Sequence, residues 1–223
     1  MNARLNGHRS LSLLTAIALP VLGATSASAA LIASQGFEAG GDTWTFTPSP
    51  APFNGGGDTW DAVTSLTGSS IVPQSGVQFW GGRDVSGGSG ASEFVVTFDP
   101  IDISLYEDVS ISFFYNAENF DTGDTLFYRV DTGSGFGADV PVFTSNSSAG
   151  GGQSTPGWVE AVIPLDDSAS TAALVIGVTP FSGSSDYSGF DTVTINGTLI
   201  PEPASLALVF GAGLMVLGRG RRA

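Results

Sequence analysis

The sequence lacks the side chains on which most enzymes depend. Its 223 residues include no cysteine and no lysine, and the only histidine is His8. Without thiols the chain has no disulfide framework, no thiolate zinc site and no cysteine nucleophile. The absence of histidine and lysine beyond residue 8 also excludes Ser-His-Asp hydrolysis, Schiff-base chemistry and histidine-ligated metals from the body of the chain.

Positive charge is scarce as well. Residues 31–200 hold 20 acidic residues and two arginines, hence a formal charge of −18, and the other five arginines lie near the two ends of the chain. Affinity for nucleic acids comes mainly from Lys and Arg side chains that displace counterions from phosphates. Nucleic acid is therefore excluded as a partner.

The first 30 residues have the pattern of a secretory signal peptide. A basic start is followed by an apolar run over residues 11–23, and Ala27-Ser28-Ala29 offers a cleavage site to signal peptidase. The apolar run contains Pro20 and is shorter than the roughly 20 residues that a membrane-spanning helix needs. We expect the chain to be exported and cleaved after Ala29 or Ala30.

The C-terminal segment, residues 198–223, has three parts in a fixed order. Pro201, Glu202 and Pro203 precede an apolar run over residues 204–218, and arginines cluster at 219–222. This order resembles the PEP-CTERM sorting signal of Gram-negative bacteria. A short apolar helix can hold an exported chain in the inner membrane while the arginines stay cytoplasmic.

The resemblance implies a transient stay in that membrane. An exosortase, which is a membrane cysteine protease, would recognise the segment near Pro201–Pro203 and release the protein to the cell surface or to an exopolysaccharide matrix. A permanent C-terminal membrane anchor is the alternative.

Residues 31–197 are expected to form one all-β domain. Val109, Ile111, Phe113 and Tyr115 alternate with less apolar neighbours, a period of two that is typical of a strand with one buried face. Further short apolar stretches are separated by Gly, Ser, Thr and Asp, and no stretch of the body has helical spacing. This pattern predicts a two-sheet antiparallel β-sandwich of the jelly-roll type. Strands are expected at 94–98, 109–115, 126–130, 158–163, 174–179 and 190–195.

Three fragments of the body resemble secreted jelly rolls of the MAM or carbohydrate-binding-module type. They are Gly36-Phe37-Glu38, residues 123–131 and residues 188–195. In those families a structural calcium ion joins the opening strand to the closing one, so the resemblance implies Glu38 and Asp191 as ligands, with Asp42 nearby. The family pattern usually has a second Asp or Asn after the closing Asp, and Thr192 stands there in this chain. The alternative is a set of solvated carboxylates without an ion.

Sugar-binding sites typically combine exposed aromatic faces with hydrogen-bonding side chains. Trp60 and Trp80, with Arg83 and Asp84, fit this description best and are our predicted glycan site. Core packing is the alternative for both tryptophans. Trp44 and Trp158 are assigned to the core.

A further segment, residues 116–124, gathers side-chain oxygens in Asn-Ala-Glu-Asn-Phe-Asp-Thr-Gly-Asp. Its spacing does not match an EF-hand loop, whose ligands stand at fixed positions along 12 residues. We interpret it as a turn.

Our leading hypothesis is an exported, non-enzymatic PEP-CTERM protein of the cell surface or extracellular matrix, with a structural or glycan-binding role and exopolysaccharide as a candidate partner. One alternative is a secreted carbohydrate-active enzyme that uses two carboxylates across a cleft, about 5 to 9 Å apart. The other is a permanently anchored surface adhesin.

Overall fold

The computed structural model describes residues 29–86, 91–147, 152–181 and 185–200. Within these residues the chain forms twelve β-strands. They are β1 (Ala29–Gln35), β2 (Phe46–Ser49), β3 (Phe53–Gly55), β4 (Asp58–Val63), β5 (Phe79–Arg83), β6 (Phe94–Asp102), β7 (Tyr106–Glu118), β8 (Thr125–Asp131), β9 (Val140–Thr144), β10 (Val159–Pro164), β11 (Thr171–Val178) and β12 (Tyr187–Leu199).

The strands form two antiparallel sheets, which we call sheet A and sheet B. Sheet A has the order β10-β7-β12-β5-β4-β3, and sheet B has the order β2-β6-β11-β8-β9. In sheet A, the long β12 pairs with β7 along one side, and on its other side it pairs first with β5 and then with β1. The prediction of an all-β, two-sheet antiparallel sandwich is confirmed.

The main core lies between the sheets and is rich in aromatic side chains. Period-two alternation along β7 buries Ile111 and Phe113 there, while Ser112 stays on the outer face of sheet A. Trp44 is 1% exposed and packs on Phe98 with ring centroids 4.9 Å apart. The prediction that Trp44 belongs to the core is confirmed.

A second, smaller core covers part of the outer face of sheet A. The segment between β4 and β5, residues 64–78, crosses this face, and we call it the covering loop. Its Leu66 and Ile71 pack against Val63, Phe79 and Tyr187, all of which are buried. This cluster anchors the covering loop to the sheet, because apolar area removed from water stabilises the contact.

Both ends of the described body lie at one end of sheet A. Ala29 pairs with Thr198, and the backbone N–H of Ile200 donates to the carbonyl of Leu105. The strands therefore extend two residues beyond each bound of the predicted domain, residues 31–197. The predicted signal peptide up to residue 28 and the sorting motif Pro201, Glu202 and Pro203 lie outside the described residues. In the part of the chain that is described, no helix has the length and apolar character needed to cross a bilayer.

Candidate functional site

The structure contradicts the predicted glycan site at Trp60 and Trp80. Their side chains are 0% and 2% exposed, and their rings meet edge to face at 5.5 Å inside the main core. A sugar needs a ring face that solvent can reach, and neither residue offers one. Core packing, the alternative weighed for both residues, is what the structure has.

The other two residues of that prediction lie elsewhere. Trp80 and Arg83 are three positions apart on β5, so their side chains point to opposite faces of sheet A. The guanidinium of Arg83 lies over the ring of Tyr187, 5.8 Å from its centroid. Asp84 follows the strand in a left-handed conformation, with φ at 44°. The four residues therefore do not form one site.

A different cleft opens on the outer face of sheet A, beside the covering loop. It has a volume of about 570 Å³, within the roughly 300–1,000 Å³ of ordinary ligand pockets. Three segments meet there: residues 70–72 of the covering loop, the end of β7 with Asn119, and residues 154–158 before β10. We call it the Trp158 cleft.

Trp158 itself is half-buried and held in place from three sides. Its indole N–H donates to the carbonyl of Val72 at 2.8 Å, and its ring meets Phe79 edge to face at 5.8 Å. Gly189 lies beneath it, where a Cβ atom would come within 2.8 Å of the Trp158 ring. The prediction that Trp158 belongs to the core holds only in part, because its half-buried ring packs against the second, smaller core on the outer face of sheet A and also lines the cleft.

Polar groups face the same cleft from β7. Asn116 and Glu118 are two positions apart and share the outer face, whereas Ala117 between them is buried in the main core. The Asn116 side-chain oxygen accepts a hydrogen bond from the Thr155 hydroxyl at 3.0 Å. Residues 116–118 thus belong to β7, and the prediction of a turn that begins at Asn116 is wrong for these three residues.

Three carboxylates fasten the covering loop, two of them from strands of sheet A and one, Glu38, from the loop after β1. Glu118 Oε2 accepts hydrogen bonds from the Ser69 hydroxyl and the Ser70 backbone at 2.6 and 2.9 Å. Asp191 Oδ2 accepts from the backbone N–H groups of residues 74 and 75, and Glu38 Oε1 from those of residues 77 and 78. One wall of the Trp158 cleft is therefore fixed by hydrogen bonds to ionisable groups.

Asp191 is the most buried of the three, with 0% of its surface exposed. Burial raises the pKa of this carboxyl, while its hydrogen bonds from the backbone of Ser75, Gln74 and Thr192 act in the opposite direction. Burial penalises the charged form of the carboxyl, and this effect exceeds that of the hydrogen bonds.

The calcium site implied by the resemblance is represented only in part. Glu38 and Asp42 line a second cleft of about 240 Å³, and Asp42 Oδ2 is buried there without a hydrogen-bond partner. Asp191 is not among the described residues that line this cleft, and both its oxygens accept hydrogen bonds from Gln74, Ser75 and Thr192. Among the described residues no group of three or more His, Cys, Asp or Glu side chains could hold a metal ion. The structure thus brings together two of the three implied carboxylate ligands, and calcium binding stays a prediction.

The acidic groups also bear on the enzymatic alternative. Glu118 is the single carboxylate among the described residues that line the Trp158 cleft. Glycoside hydrolysis normally uses two carboxyl groups, one on each side of the scissile bond. The described lining of this cleft supplies one of the two.

Sequence reasoning missed the residues of the Trp158 cleft because they are distant in the chain. A signal was present: Trp158 and Glu160 share the parity of the outer face, opposite to the apolar Ala161 and Ile163. The alternation of β10, extended by one residue towards the N-terminus, places the Trp158 ring on the outer face and outside the main core.

No protein-family model matches the chain, and no curated protein matches it either. Among solved structures, the chain is similar to the K3 cleaved adhesin domain of Lys-gingipain from Porphyromonas gingivalis, with 14% identity, a TM-score of 0.49 and coverage of 74% of this chain and 98% of that one.

Two further similar structures are the module TmCBM61 in complex with β-1,4-galactotriose and the CBM22-1 xylan-binding domain of Paenibacillus barcinonensis Xyn10C. Each is 12% identical to this chain. Their TM-scores are 0.41 and 0.40, and the alignments cover 68% and 80% of this chain and 86% and 100% of those chains. At these identities the similarity concerns the fold alone.

Proposed function

We propose that this chain is an exported, non-enzymatic jelly-roll protein that binds glycans in the Trp158 cleft. The observation that supports this most is the pairing of a half-buried, fixed Trp158 ring with polar side chains from β7 in a cleft of about 570 Å³. An aromatic face removes the apolar face of a sugar ring from water, and hydrogen-bonding groups beside it orient the hydroxyls. A fixed ring loses little conformational freedom on binding.

The proposal also includes delivery by the two terminal segments. Both are joined to the body at the end of sheet A where Ala29 pairs with Thr198, and the motif Pro201–Pro203 follows directly after Ile200, the last described residue. Glu118 lies at the other end of β7, opposite Tyr187. The cleft and the terminal segments are thus at opposite ends of β12, roughly 30 Å apart at about 3.3 Å per residue. A chain held by its C-terminal segment would present the cleft away from the membrane.

Binding is tested with the full chain, purified and applied to immobilised polysaccharides. Trp158→Ala is expected to weaken binding about tenfold to a hundredfold, because it removes about 1.5–3 kcal/mol of apolar contact. Phe136→Ala is the matched control, since Phe136 is an exposed aromatic residue (41%) that does not line the Trp158 cleft. Equal binding by the wild-type, Trp158→Ala and Phe136→Ala proteins would contradict the site.

Tryptophan fluorescence gives an independent readout. The other three tryptophans, Trp44, Trp60 and Trp80, are at most 2% exposed, so a glycan in solution can reach only Trp158. A bound glycan is expected to shift the wild-type emission and leave that of Trp158→Ala unchanged. Thermal unfolding of the variant separates lost contact from lost folding.

A further inference from the structure

The described residues that line the Trp158 cleft carry one formal charge, and it is negative. No arginine lines it among the described residues, and Glu118 places a carboxylate in it. Of the two arginines of the body, Arg129 pairs with Glu93 and Asp139, and Arg83 lies over Tyr187. The described lining of the cleft therefore offers negative charge and hydrogen-bonding groups, but no cation, to a ligand.

The covering loop donates its hydrogen bonds to one of the two oxygens of Glu118. The hydrogen bonds from Ser69 and Ser70 all go to Oε2, which fixes the carboxylate in its position. Oε1 accepts none of them, and Glu118 lines the cleft. A carboxylate oxygen accepts hydrogen bonds only, so it suits a hydroxyl or an ammonium group and opposes a second carboxylate.

We propose that the Trp158 cleft selects glycans by charge: it binds neutral or amine-bearing sugar units and excludes uronate-, sulfate- and phosphate-bearing ones. This inference rests on the proposed glycan function and deepens it. Two charges act in the same direction. Glu118 repels an anionic sugar at contact distance, and the body charge of −18 repels an anionic polymer at long range.

Salt weakens the long-range repulsion by the body charge, whereas the repulsion by Glu118 at contact distance persists. At physiological ionic strength the field of the body is screened beyond about 8 Å. Selectivity that remains at 0.15 M salt must therefore come from charges close to the ligand, among which Glu118 lines the cleft itself.

The first experiment compares two panels of polysaccharides on the full chain at 0.15 M salt, each with the wild type and Trp158→Ala. The neutral and amine-bearing panel is cellulose oligomers, xylan, galactan, mannan and chitosan. The anionic panel is alginate, polygalacturonate and hyaluronan. We expect the strongest Trp158-dependent binding in the first panel, and we expect the anionic polymers to bind at least about tenfold more weakly. Trp158-dependent binding led by the anionic panel would overturn the inference and leave the glycan function intact. An absence of Trp158-dependent binding in both panels would overturn both.

The second experiment adds one positive charge inside or outside the cleft. Val72 and Val77 both belong to the covering loop and are similarly exposed, at 62% and 65%, but only Val72 is a lining residue. Val72→Lys is expected to strengthen binding of polygalacturonate about tenfold. Val77→Lys changes the total charge equally and is expected to have no such effect. If the two variants act alike, the field of the whole body sets the selectivity and the cleft does not.

Discussion

At the scale of single residues, the most informative backbone angle is that of Thr192. Its φ is +48°, in the left-handed region that β-branched residues rarely adopt, and it follows the buried Asp191 in β12. The families that the chain resembles usually have Asp or Asn at this position, and both of these residue types tolerate the left-handed conformation. The residue at which this chain departs from the family pattern, Thr192, is therefore a strained one.

Thr192→Asn is expected to stabilise the protein. The substitution relieves strain worth about 1 kcal/mol, and the Asn amide can replace the Thr192 hydroxyl, which donates to Gln74 Oε1 at 2.7 Å. A gain of this size raises the midpoint of thermal unfolding by about 2–4 °C in a domain of this length. Thr198→Asn, in the same strand without a positive φ, is the control and is not expected to raise the midpoint. A midpoint for Thr192→Asn at or below that of the wild type would contradict the strain argument.

At the scale of elements, the covering loop is held by ionisable groups, so its stability must depend on pH. Burial raises the pKa of Asp191 above its ordinary value of 3.8. The folded protein thus binds the carboxyl proton of Asp191 more tightly than the unfolded chain does. The contribution of Asp191 to the free energy of unfolding therefore falls as pH rises from 3.8 through the raised pKa. Asp191→Asn removes this dependence.

The free energy of unfolding of Asp191→Asn, measured in urea from pH 3 to 7, should therefore improve relative to the wild type as pH rises and then level off. Asp166→Asn provides a contrast, since hydrogen bonds from Ser168 lower the pKa of the exposed Asp166. The free energy of unfolding of the wild type should therefore fall relative to that of Asp166→Asn as pH falls. Parallel curves for the wild type and Asp191→Asn would contradict the role of burial.

A second property of the elements is the predicted calcium clip beside the covering loop. Asp42 Oδ2 is buried without a partner in the cleft that Asp42 and Glu38 line. An ion there would bind the folded state and raise its unfolding midpoint with concentration. Calcium is expected to raise the midpoint of the wild type and to have less effect on Asp42→Asn, and EDTA should reverse the increase. A wild-type midpoint that responds to neither reagent would contradict the calcium prediction. Glu38 would then serve only to hold the covering loop through its hydrogen bonds.

The strands that the sequence predicted and those that it did not differ in their local pattern. β7 alternates apolar and polar residues over most of its length, so its position and its buried face follow from residues 109–115 alone. β4 and β5 contain Asp58, Gly81 and Gly82 and are buried mainly through Trp60 and Trp80. Glycine and aspartate are typical of loops, so the tertiary packing of two indoles decides these strands.

The candidate site was harder to predict for a related reason. The Trp158 cleft unites segments near residues 70, 118 and 155, which lie far apart in the chain. Only the pairing of β7 with β10 and the path of the covering loop bring them together. Composition nevertheless limits the charge of such a site, because a body with two arginines has few cations to place in any cleft.

At the scale of the whole molecule, the arrangement of the ends determines what release would do. The two terminal segments leave from one end of β12, and the Trp158 cleft lies near the other end. Removal of the C-terminal segment near Pro201–Pro203 would therefore leave the cleft and every strand intact, since β12 ends at Leu199. Cleavage after Ala29 or Ala30 likewise removes at most two residues of β1.

Mass spectrometry of the protein collected from the medium tests this arrangement. We expect a mature mass that lacks residues 1–29 or 1–30 and the residues beyond the cleavage point near Pro201–Pro203, with full glycan binding. Glu202→Ala is expected to keep the chain in the membrane fraction with its C-terminal segment attached, because the resemblance places exosortase recognition there. Glu160→Ala, an exposed acid in β10, is the control and should be released normally. An intact C-terminal segment in released wild-type protein would contradict sorting, and a wild-type chain found only in the membrane fraction would favour the anchored adhesin.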